Sequence, residues 1–70
     1  MTIKQLKFLK QHGENIEVMD QKLIPLVQYL IKGNNYFKTD QDVINETGFS
    51  RYLVKNARSI IDIYIKENMK

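Results

Sequence analysis

The sequence predicts a mostly α-helical domain, with a core of three helices and a further helix in front of it. Three observations point there. Apolar residues recur at helical spacing over residues 16–31 and, more cleanly, over residues 53–65. Ser, Thr or Asp stands ahead of the periodic stretches and Gly13, Gly33 and Gly48 follow three of them, the punctuation of helix starts and stops. No pair of alternating runs makes a convincing sheet. The 70 residues form one domain with a small core over residues 20–67 and an N-terminal extension over residues 1–19. That size fits a whole small protein or a piece of a larger one.

Each element has its own local signal. Thr2 and Gln5 have the spacing of a capping box, with Ile3, Leu6 and Leu9 as a narrow apolar stripe and Gly13 as a stop. Phe8 lies off that stripe. The alternative for this extension is a β-hairpin turning at residues 12–15, with Leu6 and Phe8 on one face and residues 16–18 as its return strand. In the next stretch the apolar positions are 16, 19, 23, 26, 27, 30 and 31, interrupted by Pro25. The proline ring clashes with the carbonyl four residues back. Either Asp20 caps a helix that holds Pro25 near its first turn, or one longer helix kinks there. Gly33 and two asparagines end it. Tyr36 and Phe37 are expected to pack as an aromatic corner over the core. Thr39 or Asp40 caps a short helix whose N-terminal end suits Asp40 and Asp42, whose inner face holds Val43 and Ile44, and whose end is Gly48. Ser50 caps the last helix. Its apolar residues Leu53, Val54, Ala57, Ile60, Ile61, Tyr64 and Ile65 fall within about 140° of arc.

Composition removes several classes of function. There is no cysteine, so disulfides and thiolate metal sites are excluded. His12 alone cannot build a metal site, and no loop has the glycines of a phosphate cradle. The acids stand as scattered caps and surface groups, so neither an enzyme nor a bound cofactor is expected. No apolar run approaches a membrane span, and no signal-like block opens the chain, which therefore reads as cytoplasmic. The formal charge of +3 is unevenly spread. Residues 1–12 carry Lys4, Lys7 and Lys10 without an acid. Residues 13–49 carry six acids against three lysines. Residues 50–70 carry Arg51, Lys55, Arg58, Lys66 and Lys70 against Asp62 and Glu67. Two basic ends flank an acidic middle, and a polyanion would meet the ends.

The stretch "DVINETGFSRYLV" joins two helices by a very short turn. A left-handed glycine ends the first helix, Phe49 plugs the angle, and Ser50 starts the second helix at once. Residues 40–59 resemble the helix-turn-helix of small bacterial and phage DNA-binding proteins, on Val43, the Thr-Gly-Phe-Ser-Arg turn at residues 47–51, and Val54. The preceding helix around residues 23–31 would complete the three-helix core. The sequence differs from the family pattern at Ile44, where a small residue is usual, and at Thr47, where an apolar one is usual. No Trp-Phe pair of the homeodomain kind stands in the last helix, and no strand-forming wing follows it, so a winged helix would have to draw its strands from residues 1–19.

The resemblance implies that the second helix of the unit enters the major groove of double-stranded DNA. Position by position it directs Ser50, Arg51, Tyr52, Lys55, Asn56 and Ser59 to DNA. Arg58 joins them because Arg51, Lys55 and Arg58 recur at i, i+4 and i+7, and each can neutralise a phosphate or reach a guanine edge. Asn56 suits adenine, and Tyr52 suits phosphate, sugar or base. Arg58 and Asn56 border the polar face on either side. Asp62 would repel phosphate and end the footprint. The implied role is regulation of transcription, replication or recombination. The Lys-, Asn- and Ile-rich composition and small size suit a phage or plasmid. Ile63 points about 130° from the apolar stripe. Ile63 and Phe8 are the candidate contacts of a homodimer across a two-fold axis. The alternative is a protein-interaction module that inhibits or recruits a host or phage protein, for which a helix-turn-helix fold can be reused, and the turn itself could belong to a helical bundle that merely looks similar.

Overall fold

A computed structural model of the chain describes residues 2–69. Among the described residues there are four α-helices, α1 (Ile3–His12), α2 (Ile24–Ile31), α3 (Asp40–Thr47) and α4 (Arg51–Asn68), joined by one-turn 3₁₀ helices and no strand. The hairpin alternative for the extension is therefore not formed.

Helix α1 starts on the expected reciprocal cap. Thr2 Oγ1 accepts from the Gln5 amide at 3.1 Å, and Gln5 Oε1 accepts from the Thr2 amide at 2.9 Å. Leu6 and Leu9 are buried, while Ile3 stays outside the core. Gly13 ends α1 as expected, standing directly after His12 as the C-cap, but it is not left-handed. Its φ is −57°, and the chain continues through a 3₁₀ turn, Gly13–Asn15. Gly13 is buried against Ile31, and a Cβ there would stand 3.4 Å from Ile31 Cδ1, an ordinary contact distance.

The Pro25 question resolves as a capped start, not a kinked helix. Residues 16–18 are irregular, and Asp20 accepts from the Lys22 amide at 3.0 Å over the turn Gln21–Leu23. Pro25 then occupies the first turn of α2, where a missing N–H removes no helical bond. Leu26, Val27 and Leu30 in α2, Val43 in α3, and Val54 and Ile61 in α4 are wholly enclosed. Each such side chain is stabilised by about 1.5–3 kcal/mol on leaving water. Gly33 takes φ +59° beyond the end of α2. The aromatic corner is only half as expected: Tyr36 packs on the core, but Phe37 is 51 % exposed.

Thr39, rather than Asp40, caps α3, accepting from the Asp42 amide at 3.2 Å. Helix α4 packs against both α2 and α3, and α1 packs on α2. Phe8 stacks 4.6 Å from the His12 ring and 6.0 Å from Tyr64, closing α1 over the distal part of α4. Among the described residues no helix is long and apolar enough to cross a membrane.

Candidate nucleic-acid interface

The turn between α3 and α4 is built by adjacent residues. Gly48 has φ +76°, and its amide donates to Ile44 O at 2.8 Å. Polar Thr47 has a purpose there. Its hydroxyl donates to Val43 O and accepts from the Phe49 amide at 3.3 Å, tying the helix end to the turn. Phe49 packs partly buried against the core, and Ile44 is half-buried beside it. Ser50 Oγ accepts from the Leu53 amide at 3.3 Å, so α4 begins two residues after the glycine.

From that start, α4 presents two edges. One carries Arg51, Arg58 and Asp62, and each of these is bonded to residues 36–41. Arg51 Nη2 donates to Gln41 Oε1 at 2.9 Å, which orients an exposed guanidinium at the head of the helix. Arg58 donates from Nη1 to Tyr36 O at 2.8 Å and from Nη2 to Lys38 O at 2.7 Å. Its Nε lies 2.7 Å from Asp40 Oδ1, at an angle too bent for a hydrogen bond, so that contact is a charge pair. The Tyr36 ring centroid lies 4.9 Å from the guanidinium carbon. Asp62 Oδ1 accepts from the Tyr36 hydroxyl at 2.7 Å. Burial first, and the Asp62 carboxylate second, push the Tyr36 hydroxyl up to about 12.

Arg58 is therefore withdrawn from the expected DNA-facing set. Its side chain is 18 % exposed, and all three guanidinium nitrogens face protein oxygens. It clamps the 36–40 segment to α4. One signal for this was available in the sequence: Arg58 borders the apolar stripe, where a cation can reach over the core.

The other edge is free. Tyr52 is 73 % exposed, Lys55 and Ser59 are exposed, and Asn56 is half-buried. Among the described residues none of these four side chains makes a hydrogen bond, though each can donate one. They recur at one-turn spacing, with Ser50 and Arg51 at the N-terminal end, where the first-turn amides also point outward. The arrangement offers cationic, amide and hydroxyl groups on a continuous strip about two turns long.

The two proposed dimer residues part company. Ile63 is 52 % exposed, one turn beyond Ser59. Phe8 is turned inward onto His12 and Tyr64, so it is not a free surface anchor. A separate cluster joins α2 to α3. Lys38 Nζ contacts both Glu46 carboxylate oxygens at 2.9 and 2.8 Å, and the Tyr29 hydroxyl donates to Glu46 Oε2 at 2.7 Å. The lysine pairing lowers the Glu46 carboxyl and raises Lys38, and burial with the Glu46 contact raises Tyr29. No family model matches this chain, and neither curated proteins nor solved structures give a match.

Proposed function

We propose that this chain binds double-stranded DNA by laying the first two turns of α4 in the major groove, as a regulator of transcription, replication or recombination in a phage or plasmid. The observation that carries this reading is the unbonded strip Tyr52, Lys55, Asn56 and Ser59 on a helix whose other edge is held by the fold. A surface so supplied with donors, directly after a tight turn, suits phosphate and base edges. Arg51, oriented by Gln41, and Lys55 supply charge, and the α4 amides favour a phosphate at the helix start. Asn56 is the candidate base reader, since its amide matches the adenine edge.

Affinity for duplex DNA is expected to fall with salt. With ~3 phosphate contacts per chain, log K against log salt has a slope of about −3. Fluorescence anisotropy on a labelled random duplex, from low to moderate salt, measures it. A flat response, or no binding at low salt, overturns the reading. The surface apolar groups Met19 and Ile63 favour a second reading, contact with protein. Such contact alone carries no phosphate-dependent salt slope.

A further inference from the structure

Among the described residues six large apolar side chains stand at the surface: Ile3, Met19, Ile24, Phe37, Tyr52 and Ile63. Four of them fall into two grooves. The first groove runs between the 15–23 segment and the distal half of α4, with Ile16, Met19 and Ile63 among its apolar groups. Met19 is fully exposed. Among the described residues the charged groups lining this groove are the acids Glu17, Asp20 and Glu67. The second groove lies between α1 and the 3₁₀ turn Asn35–Phe37, with Ile3, Leu6 and Phe37 as its apolar groups. Its charged lining residues are Lys7 and Lys10, with no acid.

We propose that these grooves are the two halves of one contact between copies of this chain, with the basic edge of α1 on one copy seated in the acid-rimmed groove of the next. The apolar groups gain by leaving water together, and the rims choose the pairing. A two-fold contact centred on either groove sets acids against acids or lysines against lysines. Pairing one groove with the other opposes unlike charges along both rims, and with one such contact per pair the arrangement is head-to-tail. This replaces a two-fold pairing through Ile63, because Ile63 shares its groove with Glu17, Asp20 and Glu67.

Such a contact is heterologous. Each pair keeps one unfilled groove of each kind, so association continues into a chain or closes into a ring. The groove that holds Met19 and Ile63 is also lined by Asn56 and Ser59, the distal end of the strip assigned to DNA. A copy seated there would cover that end, so association and DNA binding would compete. That last consequence rests on the DNA reading, whereas the association does not.

Sedimentation of the full chain without DNA, at low salt and several concentrations, tests it. The wild type is expected to grow past the dimer or to a closed ring, and to dissociate as salt rises. Lys7→Glu/Lys10→Glu is expected to associate at least about tenfold more weakly, and so is Glu17→Lys/Glu67→Lys. Mixed in equal amounts, the two variants are expected to associate again, since each supplies the half the other lacks. Ile63→Asp is expected to weaken association with circular dichroism unchanged. A dimer that survives both charge reversals is a two-fold contact and overturns the proposal. A wild type that is monomeric at every concentration also overturns it, and leaves the grooves to another protein. Because no DNA is present, neither result depends on whether the DNA reading stands.

Discussion

Along one edge of α4, Arg51, Arg58 and Asp62 each bond to residues 36–41, and along the other Tyr52, Asn56 and Ser59 bond to nothing among the described residues. Both edges are polar, and both lie on the same helix. What separates them is the chain opposite. The 36–41 segment brings two backbone carbonyls and two acceptor side chains to the first edge, where the fold encloses the Arg58 guanidinium and bonds one group each of Arg51 and Asp62. The 15–23 segment lies across a groove from Asn56 and Ser59, and among the described residues it bonds to neither. A cation on a helix surface thus belongs to the fold or to a ligand according to what faces it, not according to its helical register. Arg58 and Lys55 are three residues apart and fall on different sides of that division.

The largest test of this contrast replaces each cation by methionine, which keeps the aliphatic stem. Arg58→Met removes two hydrogen bonds from a charged donor and leaves Asp40, 28 % exposed, without its counter-charge. A loss of about 2–3 kcal/mol is expected, seen as a lower urea midpoint at unchanged m. Lys55→Met is expected to stay within about 0.5 kcal/mol of the wild type. Equal losses from the two substitutions break the comparison.

The free edge is sharpened by binding measurements. Asn56→Ala is expected to lose about 1–3 kcal/mol on the preferred duplex and little on random DNA. Lys55→Ala is expected to weaken both and to reduce the salt slope by about 1. Equal loss on both duplexes for Asn56→Ala removes its base-reading role. Selection from random duplexes, followed by sequencing of the bound fraction, supplies the preferred site.

The smallest expected effect lies on the bonded edge. In the fold the Tyr36 hydroxyl is raised to about 12 from its ordinary 10.0, so the folded state favours the neutral form. The stabilisation from that proton is fully present below pH 10 and is lost as pH rises towards 12. Tyr36→Phe lacks the proton and the hydrogen bond to Asp62. It is expected to be less stable than the wild type by about 0.5–1 kcal/mol at neutral pH. Urea midpoints of the two proteins should converge on the alkaline side. A difference that stays constant up to pH 12 places the origin elsewhere.

The sequence made the helix ends legible because their chemistry is short-range. The Thr2 box, Asp20 with Pro25 behind it, Thr39, left-handed Gly48 and the Ser50 cap all act within a few residues. The apolar stripe of α4 was legible for the same reason. Arg58 was not, because the carbonyls it binds lie 22 and 20 residues earlier and carry no side-chain signature. Gly13 was legible as the end of α1, but not its right-handed φ of −57°, because the chain runs on into a 3₁₀ turn. Tyr36 and Phe37 are equivalent in composition, and the direction of a single 3₁₀ turn sends one inward and the other out. Phe8 found its partners on His12 and on Tyr64, the latter at the far end of the chain.

Every bond that shapes the turn before α4 is short in sequence. Thr47 to Val43, Gly48 to Ile44, Phe49 to Thr47 and Leu53 to Ser50 each span four residues or fewer. Closing such small loops loses little chain entropy. The turn therefore does not wait for α1 or for the clamp at Arg58 in order to take shape. In folding, such a unit is expected to form early and locally, with the clamp at Arg58 closing later across a loop of 20 residues.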